Sequence, residues 1–469
     1  MRLRRDRRLR QGAPENSTYV EMAILARNGA GFSRCSRTLA SVFKNHPFLL
    51  SLRGPKIVVI FATSLVVIAL LLKWGYLRKA GFAGRWLVAL WLLPPLSILS
   101  AQESFEIAKR GVLQTEPALA QQLGRHFMVG YSSFDEVAQL AEKGLIAGIY
   151  VGKGNVARRK PPVIKAEIAA LQERRRRAGL PPLIVAADQE GGVVSHLSPP
   201  LTWLPPLATL AELSPDVRAK KAEEFGRTQG RELASLGITL DFAPVLDLKP
   251  KAKRNRFDFN TMTGERAISE NPAIVSDVAL AYVRGLEAAG VGATVKHFPG
   301  LGRVRRDTHI VSADLDTSID ELEASDWRPF KDLLAGTNAQ LMVGHVSLTA
   351  IDPGRPASHS KAVIDGIIRK KWNYQGIVIT DDLVMGAIYG RNVCTAVIEA
   401  LNAGADLLLV AFDSDQFYRI FACASEAAAQ NNLDSDMLVE STARLDRIFP
   451  KAPPAISPTP PADAPPTGE

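Results

Sequence analysis

Cysteine is scarce in this chain of 469 residues and occurs only as Cys35, Cys394 and Cys423. The three are odd in number, far apart and without a CxxC pair, which argues against a disulfide framework and a zinc knuckle and predicts free, buried thiols. No GxGxxG or GxxxxGK[ST] motif follows a predicted strand, so a nucleotide site has no support. A GxSxG motif is missing as well, and Cys394 and Cys423 fall within helical stretches, which leaves no signature of a serine or cysteine nucleophile.

Acidic residues are rare in the first 85 positions, which hold 16 Lys or Arg and only three acids. Because the whole chain has a formal net charge of +9, the remainder is net acidic by four charges. A nucleic-acid-binding domain would carry its basic patch on the folded body, so we expect no nucleic-acid partner. Residues 1–56 instead form a basic, disordered arm in this prediction, suited to anionic lipid headgroups.

Long hydrophobic runs occur only near the N-terminus, at residues 57–74 and 86–100. The first run approaches the roughly 20 residues that a membrane-spanning helix requires. The second contains Pro94 and Pro95 and is short for a span, which favours a signal-peptide core. Basic residues flank both runs: two spans return the body to the cytoplasm, whereas one span leaves it outside. We predict one or two transmembrane segments within residues 57–101, with the body on the periplasmic side; two hydrophobic helices packed on a soluble domain are the alternative.

The body of the chain alternates short β-branched runs with longer helical stretches, the pattern of a parallel α/β sheet. Eight strands over about 345 residues predict a single (β/α)8 barrel of the TIM type across residues 102–450, with an open doubly wound sheet as the alternative. The last stretch, 451–469, is rich in Pro and Ala and is predicted to be disordered. The expected strands are 127–131, 148–152, 183–187, 239–245, 293–297, 340–344, 376–380 and 406–410.

Polar residues follow several of these strands at their carboxyl ends, where such barrels assemble their active sites. A buried, hydrogen-bonded polar residue explains any one of them, but not five in register at one rim. A metal-dependent hydrolase would need a close pair of histidines early in the barrel, and the first strand ends without one. The remaining reaction class is glycoside chemistry, in which a carboxylate attacks an anomeric carbon. The polar strand ends are Asp188 to Gly192, Asp247, Lys296 with His297, His345, and Asp381 with Asp382.

The segment from Lys296 to His309 reads KHFPGLG, four further residues and then DTH. It resembles the KH[FI]PG[HL]GxxxxD[ST]H signature of glycoside hydrolase family 3, in particular the NagZ-like β-N-acetylglucosaminidases. The resemblance extends over about residues 115–415 and keeps the order of the motifs in that family. The further matching segments are DQEGG at 188–192, LDFAPVLDL at 240–248, Glu265 to Ala267 followed by Asn271 and Pro272, GHVSL at 344–348 and GIVITDDLVMGA at 376–387.

The resemblance implies roles for individual residues of this chain. Asp381 is implied as the nucleophile, and His309, paired with Asp307, as the acid/base. Such a pair is chemically reasonable, because a carboxylate orients the imidazole that exchanges the proton. The family also implies a set of sugar-binding residues, and it implies neither a metal nor a cofactor. That set is Asp188, Arg266, Lys296 and His297, with Asp247 near them.

This chain departs from the family pattern at Val193 and His196, where relatives carry arginines after the glycines. The run from Arg303 to Arg306 is unusually basic and predicts either a solvated loop or recognition of an anionic substrate such as a muropeptide. About 70 residues separate Asp381 from the Pro-rich tail, so we expect no second α/β domain to supply the proton donor.

The resulting hypothesis is a retaining glycoside hydrolase anchored in a bacterial cell membrane. We expect it to remove terminal β-linked N-acetylglucosamine from peptidoglycan-derived sugars through a covalent glycosyl–aspartate. Its expected partners are a carbohydrate substrate and the membrane. A catalytically weak sugar-binding relative is the alternative, as is a β-glycosidase or phosphorylase of the same family with another sugar preference.

Overall fold

A computed structural model describes residues 55–250, 261–389 and 392–449 of the chain. Two compact units are present, the first ending at Ala108 and the second beginning at Lys109. The predicted tail, nearly all of the predicted basic arm, and Cys35 lie outside the described residues.

Three helices begin in the described part of the N-terminal unit, namely α1 (Pro55–Lys73), α2 (Tyr76–Lys79) and α3 (Gly81–Leu113), and α3 continues past Ala108. Helix α3 has 33 residues and is long and apolar enough to cross a membrane by length and composition. The apolar part of α1, Ile57–Lys73, is shorter. Helix α3 contains the second hydrophobic run and continues beyond it at both ends. Ala, Gln, Glu and Lys residues after position 100 favour helix and extend it to Leu113.

Eight parallel strands form the main sheet of the second unit, in the spatial order β7-β6-β5-β4-β3-β2-β1-β8. A parallel bridge between Ile379 and Leu407 joins β7 to β8, so the sheet is a nearly closed barrel. Every predicted strand is confirmed, and the sequential order rules against the open doubly wound alternative. The strands are β1 (Phe127–Gly130), β2 (Gly148–Tyr150), β3 (Ile184–Ala187), β4 (Leu240–Asp241), β5 (Gly292–Phe298), β6 (Gln340–Val343), β7 (Val378–Thr380) and β8 (Leu408–Val410).

Alternating residues of the strands fill the barrel with an apolar core, because successive side chains of a strand point to opposite faces. Ile184 and Ala186 of β3 belong to this core, as do Met128, Met342 and Leu409 of other strands. Two short pairs of strands lie outside the barrel ladder: Gln189–Gly191 with Val194–Ser195, and Ala313–Leu315 with Val346–Leu348.

Helices separate the barrel strands, and two of them begin with a proline after a polar residue. Asn271 caps the helix that starts at Pro272, since its Oδ1 accepts a hydrogen bond from the N–H of Ala273 at 2.9 Å. The helix that starts at Pro215 follows Ser214, whose side chain does not cap it. The helices are α4 (Pro117–Gly124), α5 (Phe134–Glu142), α6 (Lys153–Val156), α7 (Pro161–Arg177), α8 (Pro215–Leu236), α9 (Thr263–Arg266), α10 (Pro272–Ala288), α11 (Ile319–Ala324), α12 (Arg328–Gly336), α13 (Gly386–Tyr389), α14 (Val393–Ala403), α15 (Gln416–Ala429) and α16 (Ser435–Ile448), with 3-10 turns at Leu207–Leu210 and Ala357–His359 and a π-helix at Ala362–Lys371.

The prediction of free thiols is wrong for two of the three cysteines. Cys394 at the start of α14 and Cys423 in α15 form a disulfide, with their Cα atoms 5.3 Å apart. The sequence separation of 29 residues concealed the pair, because the two residues meet only when α14 and α15 pack against each other.

Candidate active site

The carboxyl ends of the barrel strands bring the predicted polar residues to one rim. Asp188 follows β3 directly, and Asp381 follows β7 directly. Lys296 and His297 lie near the carboxyl end of β5. Each side chain is therefore fixed by a strand whose backbone is hydrogen-bonded on both sides. The prediction that these polar residues lie at the carboxyl-end rim of the barrel is confirmed.

A buried cluster of four charges forms the floor of this rim. Lys296 Nζ contacts the carboxylate of Asp188 and lies 2.7 Å from Glu190 Oε1. The guanidinium of Arg266 donates two hydrogen bonds to Glu190, at 2.9 and 2.6 Å. Burial opposes the ionisation of both carboxyl groups, but the adjacent cations hold their pKa values below the ordinary range. The cluster is thus two cations and two carboxylates joined by three ion pairs and largely removed from solvent.

Tyr150 and His196 hold the second oxygen of Asp188. The Tyr150 hydroxyl donates to Asp188 Oδ2 at 2.9 Å and lies 2.8 Å from His196 Nδ1. Burial, reinforced by the charge of Asp188, raises the pKa of Tyr150 well above its usual value, so the phenol keeps its proton. Because that proton goes to Asp188, the His196 Nδ1–H must be the donor to the phenol oxygen. His196, one of the departures from the family pattern, is therefore engaged with Tyr150, while Val193 is 51% exposed.

Asp247 orients His297 at the centre of the rim. Its Oδ2 lies 2.7 Å from His297 Nδ1, and its Oδ1 accepts the backbone N–H of Leu301 at 2.7 Å. On the other side of the imidazole, Arg266 Nη2 lies 3.4 Å from His297 Nε2. An imidazole with a carboxylate at one nitrogen and a donor at the other has a fixed ring orientation.

Asp307 and His309 lie together on the loop after β5. Asp307 Oδ1 accepts the backbone N–H of His309 at 2.9 Å, lies 3.0 Å from His309 Nδ1 and accepts the Thr261 hydroxyl at 2.9 Å. Burial opposes the ionisation of Asp307, but the contacts from His309 and Thr261 outweigh it and hold the pKa of Asp307 well below its usual range. An ionised Asp307 keeps a proton on Nδ1, so Nε2 of the 37% exposed His309 side chain is the nitrogen available for exchange.

Two backbone hydrogen bonds join this loop to the loop after β7. The N–H of Gly386 donates to the His309 carbonyl at 2.7 Å, and the N–H of Ala387 donates to the Thr308 carbonyl at 3.2 Å. A Cβ added to Gly386 would lie 2.6 Å from the His309 carbonyl oxygen, so the approach requires glycine there.

Asp381 and Asp382 are adjacent carboxylates in opposite electrostatic environments. Burial opposes the ionisation of Asp381, but three imidazoles and the backbone N–H of Asp382 at 2.8 Å hold its pKa below the ordinary value. These imidazoles belong to His297, His345 and His309. Burial instead raises the pKa of Asp382 to about 6. Asp381 is therefore the more readily ionised of the two carboxyl groups, and an ionised carboxylate is the form that can act as a nucleophile.

The structure also places at the rim several residues that no sequence pattern assigned to the site. Glu190 belongs to the same segment as Asp188, two residues further along, and this spacing is the signal that was available. His345 was noted only as a polar strand end, and its Nδ1 and Nε2 contact Ser358 Oγ at 2.7 Å and the Asp382 carbonyl at 2.9 Å. No motif identifies Tyr150 or Thr261. Among the residues described, no three His, Cys, Asp or Glu side chains are grouped as metal ligands.

The arginines of the basic run before His309 lie in two different environments. Arg303 Nε donates to the buried carboxylate of Asp326 at 2.8 Å. Arg305 and Arg306 are exposed. One arginine of the run is thus structural, and the other two carry positive charge at the surface.

Similarity to known proteins identifies the family of this chain. The family model described as "Glycosyl hydrolase family 3 N terminal domain" matches residues 118–448. The chain belongs to glycosyl hydrolase family 3. As a member of this family, with relatives named Beta-hexosaminidase, it is a glycosidase.

Two curated relatives and two solved structures illustrate the similarity of this family 3 barrel. A Beta-hexosaminidase of Nitrosomonas eutropha is 32% identical over 279 residues, 57% of this chain and 78% of that protein. A Beta-hexosaminidase of Stenotrophomonas maltophilia is 35% identical over 269 residues, 56% of this chain and 76% of that protein. A family 3 beta-N-acetylglucosaminidase of Paenibacillus sp. str. FPU-7 has a TM-score of 0.63 and 30% identity, over 70% of this chain and 62% of that one. A family 3 glycosyl hydrolase of Mycobacterium smegmatis has a TM-score of 0.63 and 29% identity, over 73% of this chain and 99% of that one.

Lys296 is the central cation of the family 3 site, and we predict that its removal lowers the stability of the protein. Lys296→Met leaves two buried carboxylates without a shared partner, and we expect the free energy of unfolding at pH 7 to fall by about 3–5 kcal/mol. In the wild type both pKa values are lowered from 3.8 and 4.5, so their stabilising effect is complete above about pH 5 and is lost as the pH falls further. The difference in the free energy of unfolding between the wild type and Lys296→Met therefore narrows below about pH 4.

Urea denaturation at several pH values measures this difference. The control is Lys221→Met, which removes an ion pair to Glu224 between two side chains that are more than half exposed. An equally small loss for Lys296→Met and Lys221→Met would show that the buried cluster does not depend on Lys296.

Proposed function

We propose that this protein is a retaining β-N-acetylglucosaminidase that removes terminal β-linked N-acetylglucosamine by way of a covalent glycosyl–Asp381 intermediate. The observation that carries the proposal is an ionised Asp381 among imidazoles, with the His309–Asp307 pair joined to the same loop by backbone hydrogen bonds. The names of the family 3 relatives support N-acetylglucosamine as the sugar.

In the first step, Asp381 attacks the anomeric carbon while His309 Nε2 donates a proton to the departing glycosidic oxygen. Asp307 stabilises the protonated imidazole, because it is ionised and lies 3.0 Å from Nδ1. In the second step, His309 accepts a proton from water, and the resulting hydroxide opens the glycosyl–Asp381 ester. Two displacements at one carbon retain the β configuration.

The buried cluster binds the terminal sugar in this proposal. Of the two carboxylates that Lys296 contacts, Asp188 is 20% exposed and Glu190 only 5%. Asp188 therefore faces the sugar hydroxyls, whereas Glu190 holds Arg266 and Lys296 in place. His297 completes the sugar site, because Asp247 holds its ring at the centre of the rim. The resemblance to the family implies five of these residues as the sugar site, namely Asp188, Arg266, Lys296, His297 and Asp247.

Asp381→Asn tests the nucleophile. The amide cannot form the glycosyl ester, so we expect release of nitrophenol from an aryl β-N-acetylglucosaminide to fall by at least about 10³-fold in kcat. A time course of nitrophenol absorbance with the full-length protein measures it. Equal activity in the variant and the wild type would overturn the assignment, and wild-type binding of the sugar without turnover would favour the sugar-binding alternative.

His309→Ala tests the acid/base through the dependence on the leaving group. We expect little loss in formation of the glycosyl–enzyme with a dinitrophenyl leaving group, which needs no proton, and a loss of about 10²–10⁴-fold with an alkyl leaving group. Added azide should restore turnover and give the β-glycosyl azide, identified by proton NMR. An equal loss with both leaving groups, without azide rescue, would contradict the role of His309.

We further propose that the N-terminal region anchors the protein in the bacterial cell membrane, with the barrel on the periplasmic side and wall-derived sugars as substrates. Helix α3 supports an anchor by its length and composition. The disulfide between Cys394 and Cys423 supports the oxidising side, because such bonds form and persist in the periplasm and are rare in the cytosol.

A reporter fused after residue 450 tests this topology. We expect a reporter that is active only in the periplasm to be active, and alkylation of intact cells to leave Cys394 and Cys423 unmodified until a reductant is added. The matched control is the same fusion lacking residues 1–113. Activity of a cytoplasm-dependent reporter in the full-length fusion would overturn the proposed topology.

A further inference from the structure

Exposed large apolar side chains of the described barrel residues concentrate at the catalytic rim. Three others, Val163, Val217 and Val439, lie on outer helices. Single exposed apolar residues need no explanation, but a concentration beside a polar site indicates a binding surface. The rim members are Val193, Trp203, Val311 and Phe412.

Phe412 is the member held closest to the reacting groups. It lies two residues beyond the end of β8, and its backbone N–H donates to Asp382 Oδ2 at 2.7 Å. Since Asp382 directly follows Asp381, the Phe412 backbone is fixed beside the nucleophile loop. The Phe412 residue is nevertheless 64% exposed, so its ring extends from the rim into solvent.

Val311 lies near the other reacting group. Its N–H donates to the Asp307 carbonyl at 3.0 Å, within the loop that carries His309, and it is 44% exposed. That loop is joined to the loop after β7 at Gly386, and the loop after β7 is joined to Phe412 through Asp382. The loops after β5, β7 and β8 are therefore linked in a row, and two of them carry the acid/base and the nucleophile.

The direction of the leaving group follows from this arrangement. The buried ion pairs of Asp188, Glu190 and Lys296 lie at the floor of the site and take the terminal sugar under the proposed function. His309 reaches solvent and protonates the glycosidic oxygen, so the leaving portion of the substrate extends outward over the linked loops. Phe412 belongs to the loop after β8, the last of these linked loops, and is exposed to solvent.

We propose that Phe412 is the platform of an aglycone subsite, where its ring stacks on the apolar C–H face of the sugar that follows the scissile bond, with Val311 at the border. The proposal rests on the proposed function and adds that the preferred leaving group is a sugar. A pyranose ring covers the face of an aromatic ring, and removing that face from water favours binding.

Phe412→Ala tests the subsite with two glycosyl donors. One is the disaccharide of two β-1,4-linked N-acetylglucosamine units; the other is N-acetyl-β-glucosaminyl fluoride, whose leaving atom is too small to reach Phe412. We expect the ratio of kcat/KM for the disaccharide to kcat/KM for the fluoride to fall about tenfold, equivalent to about 1.4 kcal/mol. Phe412→Tyr keeps the aromatic face and should keep the wild-type ratio.

Val439→Ala is the matched control, since Val439 is 68% exposed on α16, away from the rim loops. An unchanged ratio in Phe412→Ala, or an equal loss with both donors, would overturn the subsite. The Phe412 backbone N–H to Asp382 is preserved in every variant, and thermal denaturation checks that each is folded. If the wild-type protein cleaves neither donor, the proposed function is wrong and the subsite falls with it.

Discussion

The buried ammonium group of Lys296 is the interaction on which the site depends. It contacts Asp188 and Glu190 in a space where an isolated carboxylate would be strongly destabilised. Arg266 supplies the second positive charge, so two cations match two anions at the floor of the barrel rim. The cation on β5 thereby fixes Asp188 and Glu190 after β3, and Glu190 in turn holds Arg266 from the segment after β4, so the charged groups are positioned before any ligand arrives.

The same burial has opposite effects on the two carboxyl groups after β7. Asp381 lies among imidazoles and keeps a low pKa, while the carboxylate of Asp382 accepts hydrogen bonds only from backbone N–H groups and has a raised pKa. Adjacent carboxyl groups whose pKa values shift in opposite directions can divide two tasks, ready ionisation in one and organisation of the loop in the other. Asp382 performs the second task, because its two oxygens accept the N–H groups of Val384 and Phe412.

The barrel strands and most of the rim residues were predictable because they depend on local patterns. Short apolar runs predicted all eight strands, and motif spacing located Asp188, Asp381 and His309. Contacts that depend on tertiary packing were not predictable. The Cys394–Cys423 disulfide and the contact between Tyr150 and His196 join residues 29 and 46 positions apart, and nothing in either local sequence marks the partner. The full length of α3 was also not predictable from the hydrophobic run, because the helix continues past that run to Leu113.

The two backbone hydrogen bonds between the loops after β5 and β7 have a mechanical consequence. The N–H groups of Gly386 and Ala387 attach the nucleophile loop directly to the backbone of Thr308 and His309. The loop after β5 therefore cannot move away from the loop after β7 without breaking both hydrogen bonds. As long as both persist, the two loops move as one unit, and the spacing between the backbones of His309 and Gly386 is kept.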